Sequence, residues 1–245
     1  MNRFLDANDP AGFAAYSASH LGALAVLVVL LLMLYGLRRW FRYGNRSRYG
    51  RYALAGVLAL SELSLNVWYV TEDVYSVKDT LPLELCSITL YLCVFMLFFK
   101  SRLLFEIAYF TGIGGAMQAM LTPVLYYDYP HFRFLEFFAA HIAILLAVFY
   151  MVWVERFRPT FRSVLLAMGF LNVLLPVILF VNAVTGGNYM FLSGKPETPS
   201  LLDWLGPYPW YLLSLEAAAF FLFLLLYVPF ALTPASPTEQ QNKPG

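Results

Sequence analysis

Long apolar runs broken by short polar intervals dominate the chain. Runs of the ~20 residues needed to cross a ~30 Å hydrocarbon core fall near 19–37, 52–70, 82–99, 103–124, 132–153, 162–184 and 208–230. The pattern predicts an all-α, polytopic bundle of seven transmembrane helices in a single domain over 1–232. The tail 233–245 is polar and proline-rich, without apolar periodicity, and is expected to be disordered.

Local signals refine these elements. Pro82 suits the first turn of helix three, where its missing N–H costs nothing, and this places Cys86 about one turn inside the helix. Gly112-Ile-Gly-Gly-Ala116 gives helix four a small-residue face that lets a neighbouring backbone approach closely. Trp40, Trp68, Tyr69, Trp153, Tyr208 and Trp210 sit at helix ends, where amphipathic rings favour the headgroup layer. No internal repeat is visible, and seven spans do not divide into the equal halves of many transporters. The connection 185–207 is long and mixes turn residues with Tyr189, Phe191, Leu192 and Trp204. A solvated linker does not need such side chains, so the stretch reads as a lid on the membrane face.

Composition agrees with the pattern: 60% of the 245 residues are hydrophobic and only 13% charged, which a soluble globule of this length does not sustain. The net charge of +1 hides an asymmetry. Arg38, Arg39, Arg42, Arg46, Arg48 and Arg51 follow helix one, Lys100 and Arg102 follow helix three, and Arg156, Arg158 and Arg162 follow helix five. The other loops hold only Arg3, Lys78, Arg133 and Lys195 as basic residues, together with Glu72, Asp73 and Asp79. Positive-inside sorting then puts the N-terminus outside and the C-terminus in the cytoplasm. The acidic N-terminus does not read as a signal peptide, so helix one is expected to stay. Nothing resembles a nucleic-acid footprint.

Candidate chemistry follows from which polar side chains share a depth. Cys86 and Cys93 are the only cysteines. Seven residues along one helix separate them by about 10 Å, too far for an intrahelical disulfide. Cys86, His141 and Gln118 fall about 6–14 Å below the outer boundary at 1.5 Å per residue, with Asn66, Asn182 and Glu216 near the same layer and Glu62 deeper. Polar side chains in a membrane are costly and usually face the bundle interior. Each alone reads equally well as helix glue, whereas a thiol, an imidazole and several amides at one depth make a candidate site. Glu84 cannot share the face of Cys86, two residues on, and His20 and His131 read as solvated residues at helix ends. No zinc-ligand spacing is present and no cofactor is implied.

The chain resembles the YwaF-like bacterial integral membrane proteins, related to the transmembrane protein 164 family of animals. The resemblance rests on Leu81-Pro-Leu-x-Leu-Cys86, Gln118-Ala-x-Leu-Thr-Pro123, Phe137-Phe-x-x-His141, and Asn182…Gly187-Asn-Tyr…Lys195-Pro…Gly206-Pro-Tyr-Pro. It implies a multi-pass protein of a cell membrane, in a bacterium the cytoplasmic membrane, that moves a fatty acyl chain between phospholipids and lysophospholipids. Cys86 and His141 match the family's reacting pair. Glu84 stands where bacterial members favour histidine, a departure from the family pattern at that position. On this reading Cys86 is the nucleophile and His141 the base. Gln118, Asn66 or Asn182 would donate to the oxyanion, and Glu84, Tyr189, Lys195, Trp204 and Glu216 would contact the lipid. Two other classes are compatible with the residues: a carrier or receptor whose polar layer binds a ligand without covalent change, and a structural subunit whose polar groups only hold helices together.

Overall fold

The computed structural model describes residues 4–8, 12–195 and 201–233. Seven α-helices follow one another: α1 Ala18–Phe41, α2 Arg46–Thr71, α3 Leu85–Phe99, α4 Arg102–Leu121, α5 Phe132–Trp153, α6 Phe161–Thr185 and α7 Tyr211–Leu232. Two short 3-10 turns, Tyr189–Phe191 and Leu201–Leu205, lie between α6 and α7. No strand occurs among the described residues, and the one β-bridge joins Gly12 to Tyr127. The expected tail lies outside the described residues from 234 onward, as does the middle of the expected lid, 196–200.

Helices α1, α2, α5, α6 and α7 are long and apolar enough to cross a membrane, and α3 is a shorter apolar helix. α4 packs against α3, α5, α6 and α7, and α5 against α1, α2, α3 and α4, so these two form the centre of the bundle. Central burial explains how α4 carries Arg102 and Glu106, which pair at 3.2 Å, without facing lipid. Gly112 lets the core close: a Cβ there would lie 3.1 Å from Val148, 3.3 Å from Ile144 and 3.3 Å from Thr89. Outer helices instead expose large apolar side chains such as Leu32, Val173, Phe180 and Leu225, as lipid-facing surfaces do.

The loops divide between two ends. At the arginine end Arg42 donates to Trp153 O, Arg102 Nη2 to Arg158 O at 3.2 Å, and Ser47 to Glu155. At the opposite end Trp68 donates to Leu5 O at 2.8 Å and Tyr127 to Ala7 O at 2.9 Å. This alternation is the one the loop charges predict.

Several local expectations are corrected. α2 starts at Arg46, six residues before its apolar run, because a basic first turn outside the hydrocarbon can still be helical. α3 starts at Leu85, so Pro82 lies ahead of it and Cys86 is its second residue. The segment before it hydrogen-bonds to Tyr189 instead of winding into helix: Leu81 N–H donates to Tyr189 Oη at 3.0 Å, and that hydroxyl donates to Val77 O at 2.8 Å. Trp68 is buried at 4% exposure and so is not a headgroup anchor. His20 and His131 are buried as well, because the N-terminal segment folds over that end of the bundle. His20 Nδ1 accepts from Tyr16 N–H at 2.8 Å and its Nε2 donates to Met120 O at 2.7 Å. His131 accepts from Arg133 N–H at 3.1 Å and stacks on Tyr127.

Candidate functional site

α3 begins inside the bundle. The Cys86 Sγ lies 3.4 Å from where a Cβ on Gly115 would be, and Gly115 is nearly two turns, about 9 Å, below the α4 terminus at Leu121. The first turn of α3 therefore lies below the end of α4, and this step between the two helix ends is the recess. Glu84 caps the helix through an extended backbone, φ −68°, ψ 149°, and its side chain makes no cap hydrogen bond. Among the described residues nothing accepts from the N–H groups of Leu85, Cys86 or Ser87. The sulfur thus belongs to a helix turn whose main-chain N–H groups are unpaired.

The position of His141 follows from register. Thr89 and Ile144 meet at Gly112. One turn towards the α3 N-terminus, the same three faces present Cys86, Gly115 and His141, because residues three apart share a helix face. At Gly115 the missing side chain lets the start of α3 lie against α4, with Cys86 Sγ and Leu85 nearest to it. The His141 Nδ1 lies 2.6 Å from Phe137 O. A carbonyl only accepts, so Nδ1 carries the proton and Nε2 keeps its lone pair. Nε2 has no hydrogen-bond partner among the described residues, and the ring packs against Phe137 at a tilt of 38° with centroids 4.2 Å apart. Cys86 thus lies in the first turn of α3, and His141 keeps an Nε2 lone pair that no described residue donates to.

The other residues singled out in the sequence divide by partner. Gln118 is exposed on α4 and its side chain bonds to no described residue. Asn66 donates to the Glu62 carboxylate at 3.2 Å and to Glu62 O at 2.8 Å. Asn182 holds Tyr189, as detailed below. Glu84 Oε2 accepts from Met190 N–H at 3.0 Å and so ties the α6–α7 connection to the start of α3. Tyr189 is 2% exposed, in a cluster with Ile178 and Leu192 that also touches Leu81, Leu83 and Ile88. Gly187 has no room for a side chain, since a Cβ would fall 2.5 Å from Lys78 O. Lys195 Nζ reaches Asp203 O at 3.4 Å and lies over the Tyr211 ring, 5.8 Å from its centroid. Trp204 is 89% exposed. Glu216 accepts from Asn172 between α7 and α6.

Sequence reasoning placed Glu62 and Asn66 in the polar layer without their partners. Glu62 accepts from Tyr91 at 3.0 Å, and Arg133 pairs with Glu136 on α5 while lying 5.7 Å over the rings of Trp68 and Tyr69. The signal was present: Glu62 with Asn66 and Arg133 with Glu136 are helical neighbours inside apolar runs. The α3 amides had no signal, because they become visible only once the helix start is known.

Taken together the helices define a polytopic, all-helical membrane protein. The TMEM164 family model matches residues 15–227, most of the chain, and the chain belongs to that family. No curated protein and no solved structure matches it.

Proposed function

We propose that this protein is a membrane acyltransferase that moves a fatty acyl chain from a phospholipid to a lysophospholipid through a thioester on Cys86. One observation carries the reading: the His141 Nδ1–H is held by Phe137 O, leaving Nε2 as an unpartnered base on the level of a thiol at the α3 N-terminus. Nucleophilic catalysis requires that pairing of a weak nucleophile with an oriented base.

In the first half-reaction Nε2 takes the thiol proton as Sγ attacks the ester carbonyl carbon. The tetrahedral intermediate collapses, the C–O bond breaks, and the leaving glycerol oxygen takes the proton from the imidazolium. Lysophospholipid departs and the acyl group remains on sulfur. In the second half Nε2 removes the proton of an acceptor hydroxyl, which attacks the thioester carbonyl, and the C–S bond breaks to return the thiol. The N–H groups of the first α3 turn face the oxyanion better than the exposed Gln118 does. Removing one such donor typically costs about 3 kcal/mol of barrier, although main-chain donors cannot be removed by side-chain substitution. The remaining layout belongs to the same proposal: one seven-span domain over 1–232, N-terminus outside, C-terminus and arginine end cytoplasmic, in a bacterial cytoplasmic membrane.

The test is intact-mass analysis after incubation with diacyl phospholipid. An acyl adduct that hydroxylamine removes, present in the wild type and in Cys93→Ala and absent from a folded Cys86→Ala, is the expected result. Lipid binding that Cys86→Ser retains, with no acyl adduct on the wild type, would instead leave a carrier or receptor.

A further inference from the structure

At the arginine end, remote from Cys86, Arg39, Arg42, Tyr43 and Arg156 wall a cavity of about 320 Å³ where the ends of α1 and α5 meet. No carboxylate lines it. Arg42 donates one N–H to Trp153 O, and its Nε, shut away from solvent, has no acceptor among the described residues. The side chains of Arg39 and Arg156 make no hydrogen bond or ion pair to any described residue. The basic residues nearby are differently engaged: Arg38 lies over Tyr35, Arg46 over Trp40, and Arg51 beside Glu155.

Helix ends do not account for this charge. Each helix C-terminus carries about half a negative charge, so α1 and α5 together offset about one of the three guanidinium charges. An excess of about two positive charges remains in the cavity, and arginine stays protonated at every accessible pH. Burial, followed by the charges of Arg156, Arg38 and Arg39, pushes the Arg42 guanidinium below its ordinary value. An anion in the cavity would relieve that repulsion and give the buried Nε an acceptor. Phosphate fits best, since its several oxygens match the forked donors of arginine.

The level of the cavity identifies the carrier. Trp40 and Trp153 close the same two helices, and Trp40 is half exposed, as rings in the headgroup layer are. Basic pockets between helices at that layer take the headgroups of anionic lipids. We propose that the cavity of Arg39, Arg42, Tyr43 and Arg156 binds the phosphate of an acidic phospholipid in the leaflet at the arginine end. The site is separate from the recess at Cys86 and does not depend on the chemistry assigned there.

Native mass spectrometry of the purified protein in detergent tests this, with phosphatidylglycerol, phosphatidylcholine or inorganic phosphate added. Arg39→Gln/Arg156→Gln removes the two unpaired guanidiniums. Arg48→Gln/Arg162→Gln removes the same charge from exposed positions outside the cavity. Wild type and the control pair should retain phosphatidylglycerol over phosphatidylcholine, and the cavity pair should lose roughly thirtyfold of that preference, the combined effect of two near-surface arginines. Circular dichroism establishes that both pairs fold. Equal loss in the two pairs, or no loss in the cavity pair, overturns the pocket. Displacement of phosphatidylglycerol by millimolar inorganic phosphate overturns the lipid as its ligand.

Discussion

Asn182 holds Tyr189 by both of its main-chain groups: the side-chain Nδ2 donates to Tyr189 O at 3.1 Å and Oδ1 accepts from Tyr189 N–H at 2.9 Å. Both residues are buried. This amide therefore commits its oxygen and one N–H to the turn after α6, and its role is to fold the chain back there. Asn182→Ala leaves a buried N–H and a buried carbonyl unpaired, at about 1–3 kcal/mol each. Thermal unfolding in detergent should shift markedly downward while the folded fraction keeps its rate of thioester formation. A selective loss of rate at unchanged stability would return Asn182 to the oxyanion.

Gly112 and Gly115 lie one turn apart on α4 and should respond differently to alanine. At Gly112 the added methyl meets three side chains at 3.1–3.3 Å in the core, so overpacking should destabilise by about 1–3 kcal/mol. At Gly115 the neighbours are the Cys86 Sγ at 3.4 Å and Leu85 at 3.6 Å, ordinary contact distances. Gly115→Ala should fold with little loss of stability and yet slow acyl-adduct formation, because it fills the space in front of the thiol. Unfolding curves and adduct kinetics on the two variants separate these outcomes, and a Gly115→Ala protein acylated at the wild-type rate would place the acyl group elsewhere.

How far the sequence revealed this arrangement depends on what each signal measures. Apolar run length located the seven helices because lipid or core demands apolar side chains along their whole length. It missed the true start of α3, because the stretch before Leu85 is just as apolar and its conformation is decided by Tyr189, 108 positions away from Leu81. Depth counting put Cys86 and His141 at one level, since it needs only the rise per residue. The same counting grouped Asn182 and Glu216 with them, although one holds a loop and the other faces α6. Depth carries no azimuth. The burial of His20 and His131 was equally invisible, because it depends on the N-terminal segment folding over the helix ends.

Glu155 should make the protein acid-sensitive. Burial alone would raise its carboxyl. Hydrogen bonds from Lys100 and Ser47 and the charges of Lys100 and Arg51 outweigh that and hold it below the ordinary 4.5. Lys100 Nζ sits 2.6 Å from one oxygen, and Arg51 Nε lies 3.1 Å from the other, an ion pair by distance without hydrogen-bond alignment. A carboxyl with a lowered folded pKa contributes stability that is complete above the unfolded value and is lost as pH falls through the folded one. Wild-type unfolding temperature should therefore decline below about pH 4.5. Glu155→Gln should start lower, by the ~3–5 kcal/mol of a broken buried pair, and decline less over the same range. Parallel acid profiles in the two proteins would show that Glu155 does not set this dependence.

The last prediction concerns the segment after α6, which bears on the recess through contacts that can be cut singly. Tyr189 donates to Val77 O at 2.8 Å and accepts from Leu81 N–H at 3.0 Å, and Met190 N–H reaches Glu84 at 3.0 Å. The segment is thus fastened to the residues that lead into α3, directly before Cys86. A thioester at the floor of the recess must be kept from water until the acceptor lipid arrives, which calls for a cover anchored beside the sulfur. Tyr189→Phe removes both hydroxyl bonds without changing the packing, a loss of about 1 kcal/mol for each bond. It should loosen the cover and raise the hydrolysis of acyl-enzyme relative to transfer, and shortening 185–207 should raise it further. Released fatty acid measured against newly acylated lipid reads the ratio directly, with unfolding curves confirming that each variant is folded. An unchanged ratio in both folded variants would mean that the segment only braces the start of α3 and that water is excluded by the helices themselves.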